Sequence, residues 1–184
     1  MLTLQMNRPM YEYQDLTPET DFKAFKCADS DLNDFLYEEA KGYQSQLLAK
    51  TYLVVNSENQ DIIAYFSLLN DAVRLEDTER SVRNRINRRI PNNKRHKHYP
   101  AVKIGRLAVD ERYAHMGFGE LILKTVCRMF RTNNRTGCRF ITVDALSSAT
   151  DFYEAKGAFR FFTEQDTADD TRLMYFDLKD FGEE

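Results

Sequence analysis

Two glycines, Gly117 and Gly119, stand where an apolar, strand-like run gives way to an amphipathic, helix-like one. Upstream lies Ile104-Gly105-Arg106-Leu107-Ala108-Val109, followed by Asp110-Glu111-Arg112-Tyr113. The loop Ala114-His115-Met116-Gly117-Phe118-Gly119 then opens directly into the helical run. Backbone N–H groups in the first turn of a helix lack partners within it, and the macrodipole leaves that end partly positive. A strand, a glycine turn and a helix start therefore make a cradle for an anion, above all a diphosphate. Glycine has no Cβ, so phosphate approaches the main chain closely and a positive φ is tolerated. Only 7 glycines occur in the chain, so two in one loop favour a pyrophosphate site over a plain turn and cap. Two nucleotide motifs are excluded. No G-x-x-x-x-G-K-[ST] is present, and the dinucleotide fingerprint needs a third glycine where Ile122 stands.

Other residues able to do chemistry are fewer. Cys27, Cys127 and Cys138 are odd in number and lack metal-type spacing, which points to buried thiols in a reduced cytoplasm. No histidine is paired with any of them in a recognisable nucleophile pattern. No metal site is expected. The net charge of −3 attracts no nucleic acid globally. Locally, Arg80, Arg83, Arg85, Arg88, Arg89, Lys94, Arg95 and Lys97 place eight of the 26 basic residues in one window, and no carboxylate follows until Asp110. The plainer reading is a solvated helix face; the sharper one is a surface that meets RNA or cofactor phosphates.

The elements that must position the cradle can be read from periodicity. At 184 residues, 42% hydrophobic and 30% charged, the chain suits one soluble domain spanning residues 1–184. Its apolar runs, such as Ile62-Ile63-Ala64-Tyr65-Phe66, are too short to span a membrane, and Met1 to Gln14 shows no secretory pattern. Strands are predicted at Tyr11–Asp15, Thr51–Asn56, Ile62–Leu69, Ala101–Val109 and Arg139–Ala145, with a final pair at Phe159–Thr163 and Leu173–Leu178. Asp29 or Ser30 is placed to cap a helix with the stripe Leu32, Phe35, Leu36, Ala40 and Tyr43. Glu76–Ile90 has helical composition, and a loop runs from Pro91 to Pro100. The helix after the glycine loop has an apolar face of Ile122, Val126, Met129 and Phe130 and stops near Asn133-Asn134. Ser147 or Ser148 is placed to cap a short helix ending at Gly157. Ala101 to Ala145 makes a βαβ unit, so its strands should be parallel neighbours. The fold class is α/β in the mixed α+β sense: a mostly antiparallel sheet with a central parallel βαβ pair and helices on both faces.

Element order, the glycine loop and Phe152-Tyr153-Glu154…Gly157-Ala158-Phe159 together resemble the GNAT superfamily of acyl-CoA-dependent N-acetyltransferases. The family's loop pattern is Q/R-x-x-G-x-G/A; Gly117 and Gly119 match it, whereas Ala114 stands where Gln or Arg is usual. That departure removes one side-chain contact but leaves the backbone donors, and His115 or Arg112 is placed to compensate. The resemblance covers about Phe25 to Leu178. Its texture is closest to the branch holding the acetyltransferase toxins of bacterial toxin–antitoxin pairs, through Phe25-Lys26-Cys27 ahead of Asp31–Leu36, Gly105–Asp110 and Val143-Asp144-Ala145.

The resemblance implies acetyl-CoA as cosubstrate, with its pyrophosphate on the backbone of His115, Met116, Gly117, Phe118 and Gly119 beside Ala114. Pantetheine would pair with the edge of Leu107, Ala108 and Val109, where a backbone N–H polarises the thioester carbonyl. Tyr153 would protonate the departing thiolate as catalytic acid; its plainer reading is a core tyrosine beside Phe152 and Phe159. No general base stands out among Asp110, Glu111 and Asp144. An α-amine (pKa about 7.7–8.0) needs none at neutral pH, unlike a lysine amine (about 10.4). The implied activity is transfer of acetyl to a primary amine by direct attack in the cytoplasm. An aminoacyl-tRNA fits as acceptor; an antitoxin-like protein and a second copy of the chain fit as partners. The competing reading is a catalytically silent module of the same fold that binds RNA or protein through the basic segment.

Overall fold

The computed structural model describes residues 8–22, 24–132, 134–163 and 170–182. Seven strands are present among them: β1 (Tyr11–Asp15), β2 (Lys50–Asn56), β3 (Ile62–Arg74), β4 (His98–Val109), β5 (Phe140–Leu146), β6 (Arg160–Phe161) and β7 (Thr171–Asp177). They are hydrogen-bonded in the order β1-β2-β3-β4-β5-β7-β6. The expected mixed sheet is realised, with one parallel pair, β4 and β5. The chain divides into two compact units, one running to Leu69 and resuming over Gly105–Ile122, the other comprising Asn70–Ile104 and the chain from Leu123 onward.

In the first unit β1 runs antiparallel to β2, from Tyr11 opposite Asn56 to Asp15 opposite Tyr52. β2 runs antiparallel to β3 with a register shift at Val54/Val55. The helical segment comprises α1 (Ser30–Asp34), a π-helical turn (Phe35–Glu39) and α2 (Ala40–Ser45). Asp29 caps it, accepting from the amides of Asp31 and Leu32 as its position predicted. Phe35, Leu36 and Ala40 of the expected stripe pack with Leu16, Phe25, Cys27, Leu53, Val55, Ile62, Tyr65 and Ala108, and Leu32 lies against them half-buried. Tyr43 instead stays 41% exposed, meeting Phe35 edge-on. The buried Tyr65 hydroxyl donates to the Leu32 carbonyl at 2.6 Å, which satisfies its polar tip.

In the second unit β4 and β5 pair in parallel from Ala101 opposite Phe140 to Ile104 opposite Val143. β5 runs antiparallel to β7, and β7 to the two-residue β6. α3 (Arg80–Arg88) buries Val82 and Ile86 in a core with Val73, Leu75, Ile90, Tyr99, Ala101, Phe140, Phe162 and Tyr175. α4 (Phe118–Arg131), whose first turn belongs to the first unit, buries Ile122 and Val126 as expected; Leu123 and Cys127 are buried too, while Met129 and Phe130 are half-buried. α5 (Thr150–Gly157) ends on Ala158 in the left-handed region, φ 51°.

Several boundaries differ from the sequence reading. β3 continues five residues past Leu69, to Arg74. The Glu76–Ile90 segment is a 3-10 turn at Leu75–Asp77 followed by α3. β4 begins at His98 and includes Pro100, because a proline near a strand start loses only a donor while its carbonyl accepts from the Arg139 amide at 2.9 Å. Neither Ser147 nor Ser148 caps α5. Both lie in a 3-10 turn, and the Ser147 hydroxyl donates to the Asp170 carbonyl instead. Asn133, where α4 was expected to stop, lies outside the described residues.

The junction below the glycine loop is tied by Asp110, 2% exposed. Its amide donates to the Ile63 carbonyl at 2.8 Å, and its carboxylate accepts from the Lys26 amide (2.9 Å), the Arg112 amide (2.9 Å) and Arg112 Nε (2.8 Å). The Glu111 amide returns a bond to the Lys26 carbonyl at 2.8 Å. Burial alone raises the Asp110 pKa, but the Arg112 guanidinium and the two amides outweigh it and hold the group below the ordinary carboxylate value. A depressed carboxylate contributes stability that is present above its unfolded pKa and is lost as pH falls through the folded one. Asp110→Ala should therefore lower unfolding stability in urea by about 2–3 kcal/mol at pH 7. The deficit relative to wild type should shrink below about pH 4. A deficit unchanged across that range would show that the carboxylate's charge does not hold the junction.

Candidate functional site

The glycine loop is built as a strand-to-helix transition. Asp110 leaves β4, Glu111–Tyr113 form a 3-10 turn, and α4 begins at Phe118. His115 (φ 62°) and Gly117 (φ 78°) are both left-handed, so the chain reverses within three residues. Only Gly117 has the residue type that conformation favours; at His115 it is held against a cost of about 1–2 kcal/mol. The first helical bond of α4 runs from the Leu121 amide to the Gly117 carbonyl, 3.1 Å. The amides of Phe118 and Gly119 precede that bond and are donors of the kind a helix start leaves open. The Met116 amide turns back to the Tyr113 carbonyl at 3.4 Å.

The site residues expected from sequence fall into the two units. Leu107, Ala108 and Val109 are the last residues of β4, with Ala108 buried and its neighbours half-buried. Ala114 and His115 are exposed, while Met116, Gly117 and Gly119 are half-buried. Phe118 is 1% exposed, packed edge-on against Tyr11 (5.6 Å) and Tyr113 (6.3 Å), so the helix start is anchored by rings on either side. Tyr153 lies in α5 of the second unit, 7% exposed, with Phe152 and Phe159 as ring neighbours at 5.1 and 5.4 Å. Burial pushes its phenol up to about 12, so it keeps its proton across the working range.

Two expected compensations for Ala114 have different standing. Arg112 is committed below the loop: besides Asp110 it donates to Asp61 at 2.8 Å and to the Ala24 carbonyl at 2.7 Å. His115 is exposed beside the turn. Sequence reasoning missed Arg8, whose Nε donates to the Met116 carbonyl at 2.6 Å and whose Nη2 donates to the Gly117 carbonyl at 3.2 Å. No local pattern marks a contact across more than 100 positions of sequence.

The carboxylates weighed as bases are occupied. Glu111 pairs with Lys26 (3.4 Å), Asp144 with Lys103 (3.8 Å) and Asp110 with Arg112. The basic window is partly structural: Arg83 caps the Leu75 and Thr78 carbonyls, Arg89 pairs with Asp177 and Asp180, and Arg95 holds the Asn87 and Ile90 carbonyls. Arg80, Arg88, Lys94 and Lys97 are exposed.

Among the described residues no group of three His, Cys, Asp or Glu is placed to hold a metal ion. Burial raises all three thiols, to about 12 at Cys127 and about 11 at Cys138, with Cys27 raised as well. A thiol raised by about two units or more holds roughly a hundredth of the ordinary thiolate. Native protein should accordingly react with a disulfide reagent at pH 8 at least tenfold more slowly than in urea. A thiol that reacts at the unfolded rate in the native state would reopen the case for a cysteine nucleophile.

A model of the acetyltransferase (GNAT) family matches residues 11–158. Among solved structures, AtaT complexed with acetyl-methionyl-tRNAfMet superposes with a TM-score of 0.74 at 20% identity, over 92% of this chain and 96% of that one. A tyrosine-to-phenylalanine mutant of KacT gives 0.72 at 20% identity over 92% and 95%. A structure described as a bacterial toxin gives 0.77 at 12% identity over 94% and 93%. At these identities the likeness establishes a shared fold.

Proposed function

This chain belongs to the acetyltransferase (GNAT) family, and from that premise we propose a toxin-like, cytoplasmic enzyme that acetylates the α-amine of an aminoacyl-tRNA. The donor is acetyl-CoA. The observation that carries the reading is the start of α4: open amides beyond a left-handed turn at His115 and Gly117, in the family's own glycine pattern. A diphosphate fits this place because it accepts from several amides at once and meets the positive end of the helix.

In this reading Phe118 and Gly119, with the His115–Gly117 turn, bind the pyrophosphate of coenzyme A. Leu107, Ala108 and Val109 align pantetheine along β4, where one amide polarises the thioester carbonyl. The acceptor nitrogen attacks that carbonyl carbon; the C–N bond forms, the C–S bond breaks, and the nitrogen's surplus proton leaves to water. Tyr153 Oη gives its proton to the sulfur. A phenol at about 12 is a weak acid, but the desolvation that raises it also raises the proton affinity of a thiolate released beside it. With Glu111, Asp144 and Asp110 in ion pairs, the reading suits an acceptor amine that is partly free without a base, such as an α-amine of pKa about 8.

The acceptor assignment draws support from the exposed Arg80, Arg88, Lys94 and Lys97 and from the fold shared with AtaT, solved in complex with acetyl-methionyl-tRNAfMet. AtaT has also been solved bound to the C-terminus of the antitoxin AtaR, which supports an antitoxin-like partner here. Among the described residues no helix is long and apolar enough to cross a membrane. The family match runs across both units, which supports their working together as one acetyltransferase domain.

Acetyl-CoA should raise the melting temperature, and Gly117→Arg, which fills the cradle, should abolish the rise. No rise in wild type at large excess would end the cofactor assignment. Labelled acetyl-CoA should transfer acetyl to charged tRNA and leave uncharged tRNA unlabelled; labelling confined to peptides or polyamines would replace the acceptor. Tyr153→Phe should lower kcat by roughly 10²-fold or more with cofactor affinity nearly unchanged. Because its pKa is raised, the wild-type kcat profile should show no falling limb from this tyrosine up to about pH 10. Wild-type turnover in the variant would remove Tyr153 from the chemistry.

A further inference from the structure

The N-terminal segment brings a guanidinium onto the loop that the sequence leaves without its usual Gln or Arg. Arg8 Nε and Nη2 donate to the carbonyls of Met116 and Gly117, and its charge lies over the Phe118 ring at 5.8 Å. The side chain sits where a β-carbon on Gly117 would be, since such an atom would lie 2.3 Å from Arg8 Nη2. Gly117 is thus required twice, once for its left-handed φ and once for the room it leaves this arginine. Tyr11, three residues on, packs edge-on against Phe118 and fixes where the segment runs.

The placement is electrostatically unusual. A helix start is already partly positive, so a cation there is disfavoured unless an anion shares the site. A guanidinium carries five N–H donors in a planar fork suited to phosphate, and two atoms of that fork are turned onto loop carbonyls. Arg8 is exposed, and its guanidinium lies at the carbonyls of Met116 and Gly117 and over the Phe118 ring, the residues that lead into α4.

Resting on the proposed binding of coenzyme A, we infer that Arg8 is a phosphate ligand for the cosubstrate, supplied from the N-terminal segment in place of the side chain missing at Ala114. It holds the turn by its two carbonyl bonds and offers its positive charge to the diphosphate. Its contribution is confined to the phosphate end of the donor, so it acts on KM for donors that carry phosphate and leaves the acyl chemistry alone.

The test compares wild type, Arg8→Ala and Arg8→Lys, each with acetyl-CoA and with S-acetylpantetheine, which has the thioester arm and no phosphate. Arg8→Ala should raise KM for acetyl-CoA at least tenfold with kcat within twofold. It should change kcat/KM for S-acetylpantetheine less than twofold and flatten the salt dependence of coenzyme A binding measured by calorimetry. Arg8→Lys, which keeps the charge and loses the fork, should fall between. Equal losses with both donors would make Arg8 a support of the loop alone; an unchanged KM would remove it from the site. Tighter binding of coenzyme A in Arg8→Ala would make it a plug, and each of these results overturns the assignment. Wild-type failure to bind coenzyme A by calorimetry sinks the cofactor reading itself, and this inference with it.

Discussion

The start of α4 places the amides of Phe118 and Gly119 ahead of its first hydrogen bond, from the Leu121 amide to the Gly117 carbonyl. An unmade backbone hydrogen bond is tolerable where water or a ligand reaches it and expensive where neither does. Gly119, half-buried, meets that condition, while the Phe118 ring beside it is packed against Tyr11 and Tyr113. The left-handed pair His115 and Gly117 sharpens the turn that leads into the helix. Beneath it, the buried Asp110 carboxylate binds the Lys26 segment and Arg112, so the turn stands on a charged, hydrogen-bonded footing. A binding site that relies on main-chain donors needs this rigidity, because its affinity comes from arrangement.

Given that arrangement, little further chemistry is needed from side chains. Acyl transfer from a thioester to an amine requires a polarised carbonyl, a free amine and a proton for the departing sulfur. The buried phenol of Tyr153, held protonated among aromatic rings, suits the last of these. The carboxylates near the loop and on β5 are engaged in ion pairs, which favours an acceptor whose amine is partly neutral at physiological pH. Burial raises all three thiols, which disfavours the thiolate form a nucleophile needs.

Much of this was legible in the residues because it rests on local rules. β1 was read to the residue, Asp29 was read as one of two caps, and the βαβ unit followed from an apolar strand, a glycine turn and a helix at the right spacing. Errors arose where longer-range contacts overrode local preference. Pro100 entered β4 because its carbonyl is used and its missing donor is not needed, and the serines before α5 served a 3-10 turn and the Asp170 carbonyl. Tyr43 fell partly outside the core, beyond the π-helical turn at Phe35–Glu39. At the loop, the two glycines stood out by type and spacing, whereas Tyr153 was singled out by the family resemblance. Arg8 was not, since its only signal is spatial, and Arg112 was read as a compensating ligand because its partners Asp61 and Ala24 are distant in sequence.

The central claim is that the main-chain amides opening α4 bind the diphosphate of coenzyme A. Amide-resolved NMR of ¹⁵N-labelled protein during titration with coenzyme A tests it most directly. The account predicts saturable shifts, largest at His115 through Glu120, that S-acetylpantetheine fails to reproduce. Coenzyme A binding that leaves those amides unmoved would contradict it.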